Sequence, residues 1–214
     1  MKLKEQPWYD KYGHWLWALF LPLYLAAFFG VEQVVNRTSH YWVSYWPLVD
    51  DIIPFSSIFV LGYSLWYPFM VVTGLYLAFY HGNSFRRYMQ FIAVSFTASL
   101  AIFLLFPNGQ DLRPAVFADA GFFTRVVQAI YAIDTNTNVL PSVHVVGALA
   151  VVFAAYDCRP AFPQWLCRAY VFLAVLISIS TVFIKQHSIL DIFGGVLLCI
   201  PVYFLIYGKR RAQG

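Results

Sequence analysis

Ser180-Thr-Val-Phe-Ile-Lys-Gln-His-Ser-Ile-Leu-Asp191 joins two apolar runs, 166–185 and 188–208, and sets a histidine and an aspartate four residues apart between them. A His–Asp pair at this spacing on a helix shares one face, where the carboxylate can orient and polarise the imidazole. Ionisable side chains at membrane depth are rare and face the protein interior, so the pair marks a candidate site. Two more polar islands lie upstream between apolar stretches, Asp111-Leu-Arg-Pro114 and Leu140-Pro-Ser-Val-His144. Together the islands supply a nucleophile, a second imidazole and a guanidinium.

The chain around them is 61% hydrophobic and 11% charged over 214 residues, with mean hydropathy +0.65. Soluble domains carry about 25% charged residues, so this chain reads as an all-α integral membrane protein forming one domain over 1–214. Its net charge of +4 comes from short flanks of apolar segments and is no sign of nucleic-acid binding. Cys158, Cys167 and Cys199 are odd in number and lack metal-ligand spacing, so they read as packing residues. The N-terminal run has no small-residue cleavage site after it and is expected to stay as a membrane helix.

Crossing about 30 Å of hydrocarbon takes about 20 helical residues. Six segments qualify: 14–35, 57–80, 88–107, 139–157, 166–185 and 188–208. The expected fold is therefore a six-transmembrane-helix bundle, with 40–56 as an interfacial segment. Placing both termini in the cytoplasm puts Lys2, Lys4, Lys11, Arg86, Arg87, Arg159, Arg168, Lys209, Arg210 and Arg211 inside, against Arg37, Arg113, Arg125 and Lys185 outside. That asymmetry obeys the positive-inside rule and independently assigns all three islands to the outer face. The connection 108–138 is long for a compact bundle and is expected to cap its outer mouth.

Each island has its own chemistry. Pro114 discourages helix at Arg113 and favours an extended or turn conformation there, from which the guanidinium can clamp two phosphate oxygens. Pro141 and Ser142 open the fourth apolar segment, with Asn138 as its expected cap, and the helix start there offers amide donors to an anion. His144 follows in the first turn as a candidate general acid, while Asp191 leaves one nitrogen of His187 free to attack phosphorus. Lys185 and Gln186 are close enough in sequence to add donors.

In this order and spacing, Arg113-Pro114, Pro141-Ser142-Val143-His144 and Ser180…His187…Asp191 resemble the three motifs of the type-2 phosphatidic acid phosphatase superfamily. The pattern there is Lys-x6-Arg-Pro, Pro-Ser-Gly-His and Ser-Arg-x5-His-x3-Asp, and the motif-bearing part spans about 108–195. Phe106 stands at the motif lysine, Val143 at the glycine and Thr181 at the arginine. This variant looks closer to the inositolphosphotransferase-like branch, which includes inositol phosphorylceramide synthase. Lys185 is the expected substitute for the missing cations, with Asn108 and Gln110 as neutral candidates.

The resemblance implies a metal-independent enzyme without cofactors, acting on a lipid phosphate ester or pyrophosphate at the outer face of a cell or organelle membrane. His187 would form a phosphohistidine, Asp191 orient it, and His144 protonate the leaving alkoxide and then activate water. Arg113, Ser142 and Lys185 would hold the developing charge. The alternative is a lipid headgroup phosphotransferase in which an alcohol replaces water. The distant alternative is a proton-coupled transporter, which would spread ionisable groups through midplane depth, whereas spans 57–80 and 88–107 carry none.

Overall fold

The computed structural model describes residues 13–36, 41–159 and 161–211. Lys2, Lys4, Lys11 and Arg37 of the charge count lie outside the described residues. The chain is mostly helical. A 3-10 turn, Gly13–Leu19, runs into α1 (Phe20–Asn36), followed by a two-residue strand β1 (Trp42–Val43) and a single turn α2 (Pro47–Asp50). A second 3-10 turn, Ser57–Phe59, leads through α3 (Val60–Ser64) into α4 (Trp66–Tyr80) and then α5 (Gly82–Leu105). The rest is β2 (Asn108–Gly109), α6 (Phe122–Ile133), α7 (Val143–Asp157), α8 (Gln164–Phe183) and α9 (Ile189–Arg211).

Five helical stretches are long and apolar enough to cross a membrane: Gly13–Val35, Ser57–Tyr80, Gly82–Leu105, Gln164–Phe183 and Ile189–Gly208. Most of their surface faces outward, with Leu23, Phe79, Leu105, Phe172 and Phe204 all exposed. Apolar faces of that extent fit lipid rather than water. The expected crossing at 139–157 differs: α7 spans 15 residues, or about 22 Å at 1.5 Å per residue. It is the hub of the bundle, packed against α4, α5, α8 and α9.

Small residues make that central position possible, since they let helix axes approach closely. Ala148, Ala150, Ala154 and Ala155 are fully buried. A Cβ on Gly147 would lie 2.5 Å from Met70 Sδ and 2.7 Å from Trp66 Nε1. Near the start of α9, a Cβ on Gly194 would lie 2.5 Å from Leu140 Cδ1, and one on Gly195 would lie 2.9 Å from Val145 Cβ. Two missing methyl groups thus bring the first turns of α7 and α9 together.

The outer connections are more structured than the composition suggests. Residues 41–56 form a strap rather than a loose interfacial segment. β1 pairs in parallel with β2, Trp42 opposite Asn108 and Val43 opposite Gly109, which departs from a purely α chain. The 108–138 connection contains the amphipathic helix α6, whose Val127 is buried against Val60, Tyr63 and Ile184 while Phe122 and Ile133 face out. At the other end of the bundle, Arg87 donates to Asp157 Oδ2 from Nε at 2.9 Å and from Nη2 at 2.5 Å.

Candidate functional site

The first turn of α9 is closed by a capping box. Ser188 stands before the helix and accepts from the Leu190 N–H at 3.2 Å, while Asp191 Oδ2 reaches back to the Ser188 N–H at 2.9 Å. Asp50 of the strap adds to it, with Oδ1 accepting from the Ile189 N–H at 3.0 Å and Oδ2 from Ser188 Oγ at 2.6 Å. His187 therefore sits in the turn ahead of the helix, not on its face as the four-residue spacing suggested. The pair still meets, because Asp191 turns back to secure the cap and its carboxylate faces the incoming turn.

His187 Nδ1 lies 3.1 Å from Asp191 Oδ2. A carboxylate only accepts, so the proton is on Nδ1 and Nε2 is left as the basic nitrogen. That Nε2 lies 3.2 Å from Nδ1 of His144, in the first turn of α7. The other Asp191 oxygen, Oδ1, accepts from Ser44 Oγ at 2.5 Å. Ser44 and Asp191 are fully buried, and His144 and His187 are nearly so. The rings of Tyr63 and Trp66 flank His144, each with its centroid 4.7 Å away.

A second polar layer lies beside this row. Gln186 Nε2 donates to Asp134 Oδ2 at 2.9 Å, and Tyr63 Oη donates to the same oxygen at 3.4 Å. Burial pushes the Asp134 carboxyl above the usual carboxylate range, with His187 and Arg113 pulling it back down. Beyond it, Thr135 Oγ1 donates to Glu32 Oε1 of α1 at 2.6 Å, tying the first helix to the site.

The residues expected to hold phosphate divide sharply. Ser142 is the N-cap of α7, with Pro141 outside the helix, and its N–H donates to the Asp191 carbonyl at 3.0 Å. Its hydroxyl makes no cap bond and is buried without a partner. Asn138, the expected cap, does not cap: it sits at φ 59 with both side-chain amide atoms unpartnered. Arg113 lies over the Tyr131 ring at 4.3 Å and donates to the carbonyls of Tyr131, Asp134 and Thr135 and to Gln186 Oε1. Its Nε is buried and unpartnered, and burial lowers the guanidinium pKa.

Three residues are occupied by backbone instead. Asn108 Oδ1 accepts from the N–H groups of Val139 and Leu140, and its amide donates to the carbonyls of Phe106 and Leu140. Gln110 bridges the Lys185 carbonyl and the Leu112 N–H. Lys185 Nζ donates to the carbonyls of Asp50 at 2.9 Å and Ile53 at 2.6 Å, in a cleft lined by Asp51 and Asp111. Its backbone is left-handed, φ 55, which turns the side chain toward the strap. Asn108, Gln110 and Lys185, expected as phosphate ligands, are thus each bonded to the backbone of neighbouring loops. Thr181, at the position of the motif arginine, donates to the Ser178 carbonyl within its own helix.

Ser44 and Asp50 escaped the sequence reading. Both come from the strap, where no motif or apolar period marks them, and they touch α9 across 147 and 139 residues of chain. Among the described residues, no group of three or more His, Cys, Asp and Glu side chains could hold a metal ion, and the three cysteines are buried and free. No protein-family model, curated protein or solved structure matches the chain.

Proposed function

We propose that this protein is a multi-pass membrane phosphatase that cleaves a lipid phosphate ester or pyrophosphate through a phosphohistidine. One observation carries the reading: a buried row of Asp191, His187 and His144 with the basic nitrogen of His187 against the second imidazole. A substrate phosphoryl group would enter by replacing that contact. His187 Nε2 then attacks phosphorus, the P–O bond to the lipid breaks, and His144 Nδ1 delivers its proton to the departing oxygen. Asp191 holds the Nδ1 proton and balances the charge gained by the His187 ring. Water next attacks the phosphohistidine as His144 takes its proton, releasing phosphate and restoring His187. The Ser142 hydroxyl and Arg113 Nε, both unpartnered, are the donors best suited to the phosphoryl oxygens.

On this reading the chain crosses the membrane six times, α7 included, with both termini in the cytoplasm and the site at the outer face. Support comes from the helix ends. Arg86, Arg87, Arg159 and Arg168 lie at the end away from the histidines, whereas Arg113, Arg125 and Lys185 lie at the histidine end. α7 is short for a crossing, but its neighbours enclose it and spare it the lipid.

The burial of both imidazoles favours a second reading, a lipid headgroup phosphotransferase, because a water-excluding site protects a phosphoenzyme until an alcohol arrives. Incubating the purified protein with a panel of lipid phosphates, with and without alcohol acceptors, separates the two. Released inorganic phosphate supports the phosphatase, and a phosphorylated or phosphatidylated alcohol supports the transferase. A protein that cleaves none of them overturns both.

A further inference from the structure

The strap 41–56 holds the turn before α9 at several points, and Ser44 is the one that touches the reactive row. Asp50 secures the helix start through Ser188 Oγ and the Ile189 N–H. Ser44 reaches past it to Asp191 Oδ1, at 2.5 Å. Asp191 Oδ2 already accepts from the Ser188 N–H and from His187 Nδ1. Rotation about the Cβ–Cγ bond of an aspartate is soft, so what fixes its plane is the set of donors on both oxygens. Here Oδ1 is held by a hydroxyl, without the arginine or lysine that would lock a carboxylate by charge.

Ser44 is itself fixed from behind. Its N–H donates to the Gly109 carbonyl at 2.7 Å, one step beyond the pairing of Val43 with Gly109, and the Trp42 N–H donates to the Pro107 carbonyl at 2.9 Å. A Cβ on Gly109 would lie 2.6 Å from Tyr41 Cε2, so strap and β2 pack closely. The hydroxyl is thus delivered by a backbone bonded on both sides of Val43 to the 107–109 segment.

We propose that Ser44 is a positioning residue, holding the Asp191 carboxylate in the plane that keeps Oδ2 on His187 Nδ1. The proposal rests on the reading of His187 as the nucleophile. It extends the site to a segment outside the three polar islands. By analogy with residues that orient a reacting group's partner, its loss lowers turnover by about 10–100-fold, with KM changed by less than about twofold.

The test compares Ser44→Ala, Ser44→Thr and the strap control Tyr45→Phe, whose hydroxyl reaches only the exposed Asp51. Two signals are read in detergent: kcat and KM on the best lipid phosphate, and the ring N–H resonance of His187 in protein labelled with nitrogen-15 histidine and assigned with His187→Gln. Ser44→Ala is expected to lower kcat, shift the resonance and speed its exchange with water. Ser44→Thr restores both, Tyr45→Phe changes neither, and Ser44→Ala adds no further loss in an Asp191→Asn background. An unchanged resonance and kcat in Ser44→Ala overturns the proposal. So does the full loss persisting beside Asp191→Asn, or a Ser44→Ala chain that no longer folds, which would make the role structural. The resonance needs no substrate, so a protein that turns over no lipid phosphate defeats the enzyme reading while the fate of Ser44 is still decided.

Discussion

The carboxylates of Asp157 and Asp191, one largely and one fully covered, lie at opposite ends of the bundle and are neutralised in opposite ways. Asp157 ends α7, where the helix dipole disfavours an anion, and it takes two hydrogen bonds from the Arg87 guanidinium. Asp191 lies in the first turn of α9, where the dipole favours it, and its partners are a hydroxyl, an amide and an imidazole. A guanidinium stays charged at any working pH, so the first pair is a fixed staple between α5 and α7. An imidazole carries no permanent charge, so the second pair can respond to a bond made at the free ring nitrogen. On the proposed reading, a carboxylate serves reactivity where the fold withholds a permanent counter-charge.

The comparison breaks first at the histidine end. His187→Ala should abolish turnover in a protein that still elutes as folded, and near-normal activity would end the nucleophile assignment. Asp191→Asn should lower kcat by about 10³–10⁴-fold, the scale seen when the carboxylate behind a catalytic histidine is neutralised. A loss below about tenfold would make Asp191 a helix cap only. At the other end, Arg87→Ala should leave kcat per folded molecule unchanged while costing about 1–3 kcal/mol in thermal or denaturant stability, the scale for a lost bond to a charged group. A collapse of kcat in that variant would erase the distinction between the ends.

Smaller effects sharpen it. Lys185→Met should reduce stability by about 1 kcal/mol through its lost carbonyl bonds. It should leave inhibition by vanadate unchanged, and a large loss of vanadate affinity would return Lys185 to the phosphate site. For Asp134 the sign follows from burial, which raises its folded pKa above the ordinary 3.8. Between those two values the folded protein holds a proton that the unfolded chain has lost, so stability falls as pH rises through the window. Asp134→Asn should flatten that part of the stability–pH profile, and an unchanged slope would assign it to another group.

The apolar helices were legible because lipid-facing segments are apolar on nearly every side, which needs no knowledge of partners. The exception, α7, was legible as apolar but not as a short central helix, because its length is set by neighbours that shield it. His144, His187 and Asp191 could be found from local spacing. Ser44 could not, since 147 residues of chain separate it from Asp191 and the pairing of β1 with β2 brings it there. The carbonyl partners of Lys185 were hidden for a related reason. Lys185 is two residues from His187 in sequence, but its left-handed backbone points the ammonium at the strap, and φ/ψ at one residue outweighs adjacency.

Gly194 and Gly195 set more than a packing distance. By letting two helices begin side by side, they bring two helix N-termini to the imidazole row, each carrying a partial positive charge of about half a unit. The first-turn amides of α9 are already taken by Asp191, Asp50 and Ser188. Asp191 and Asp50 both sit on the α9 terminus, so the field left for an anion is chiefly that of the α7 terminus, which belongs to the peptide backbone. Attraction for an anion that originates in peptide groups does not titrate. On the proposed reading, this is how a site can do without the lysine and arginine replaced by Phe106 and Thr181, and hold its phosphate over a pH range in which an ammonium would lose its charge.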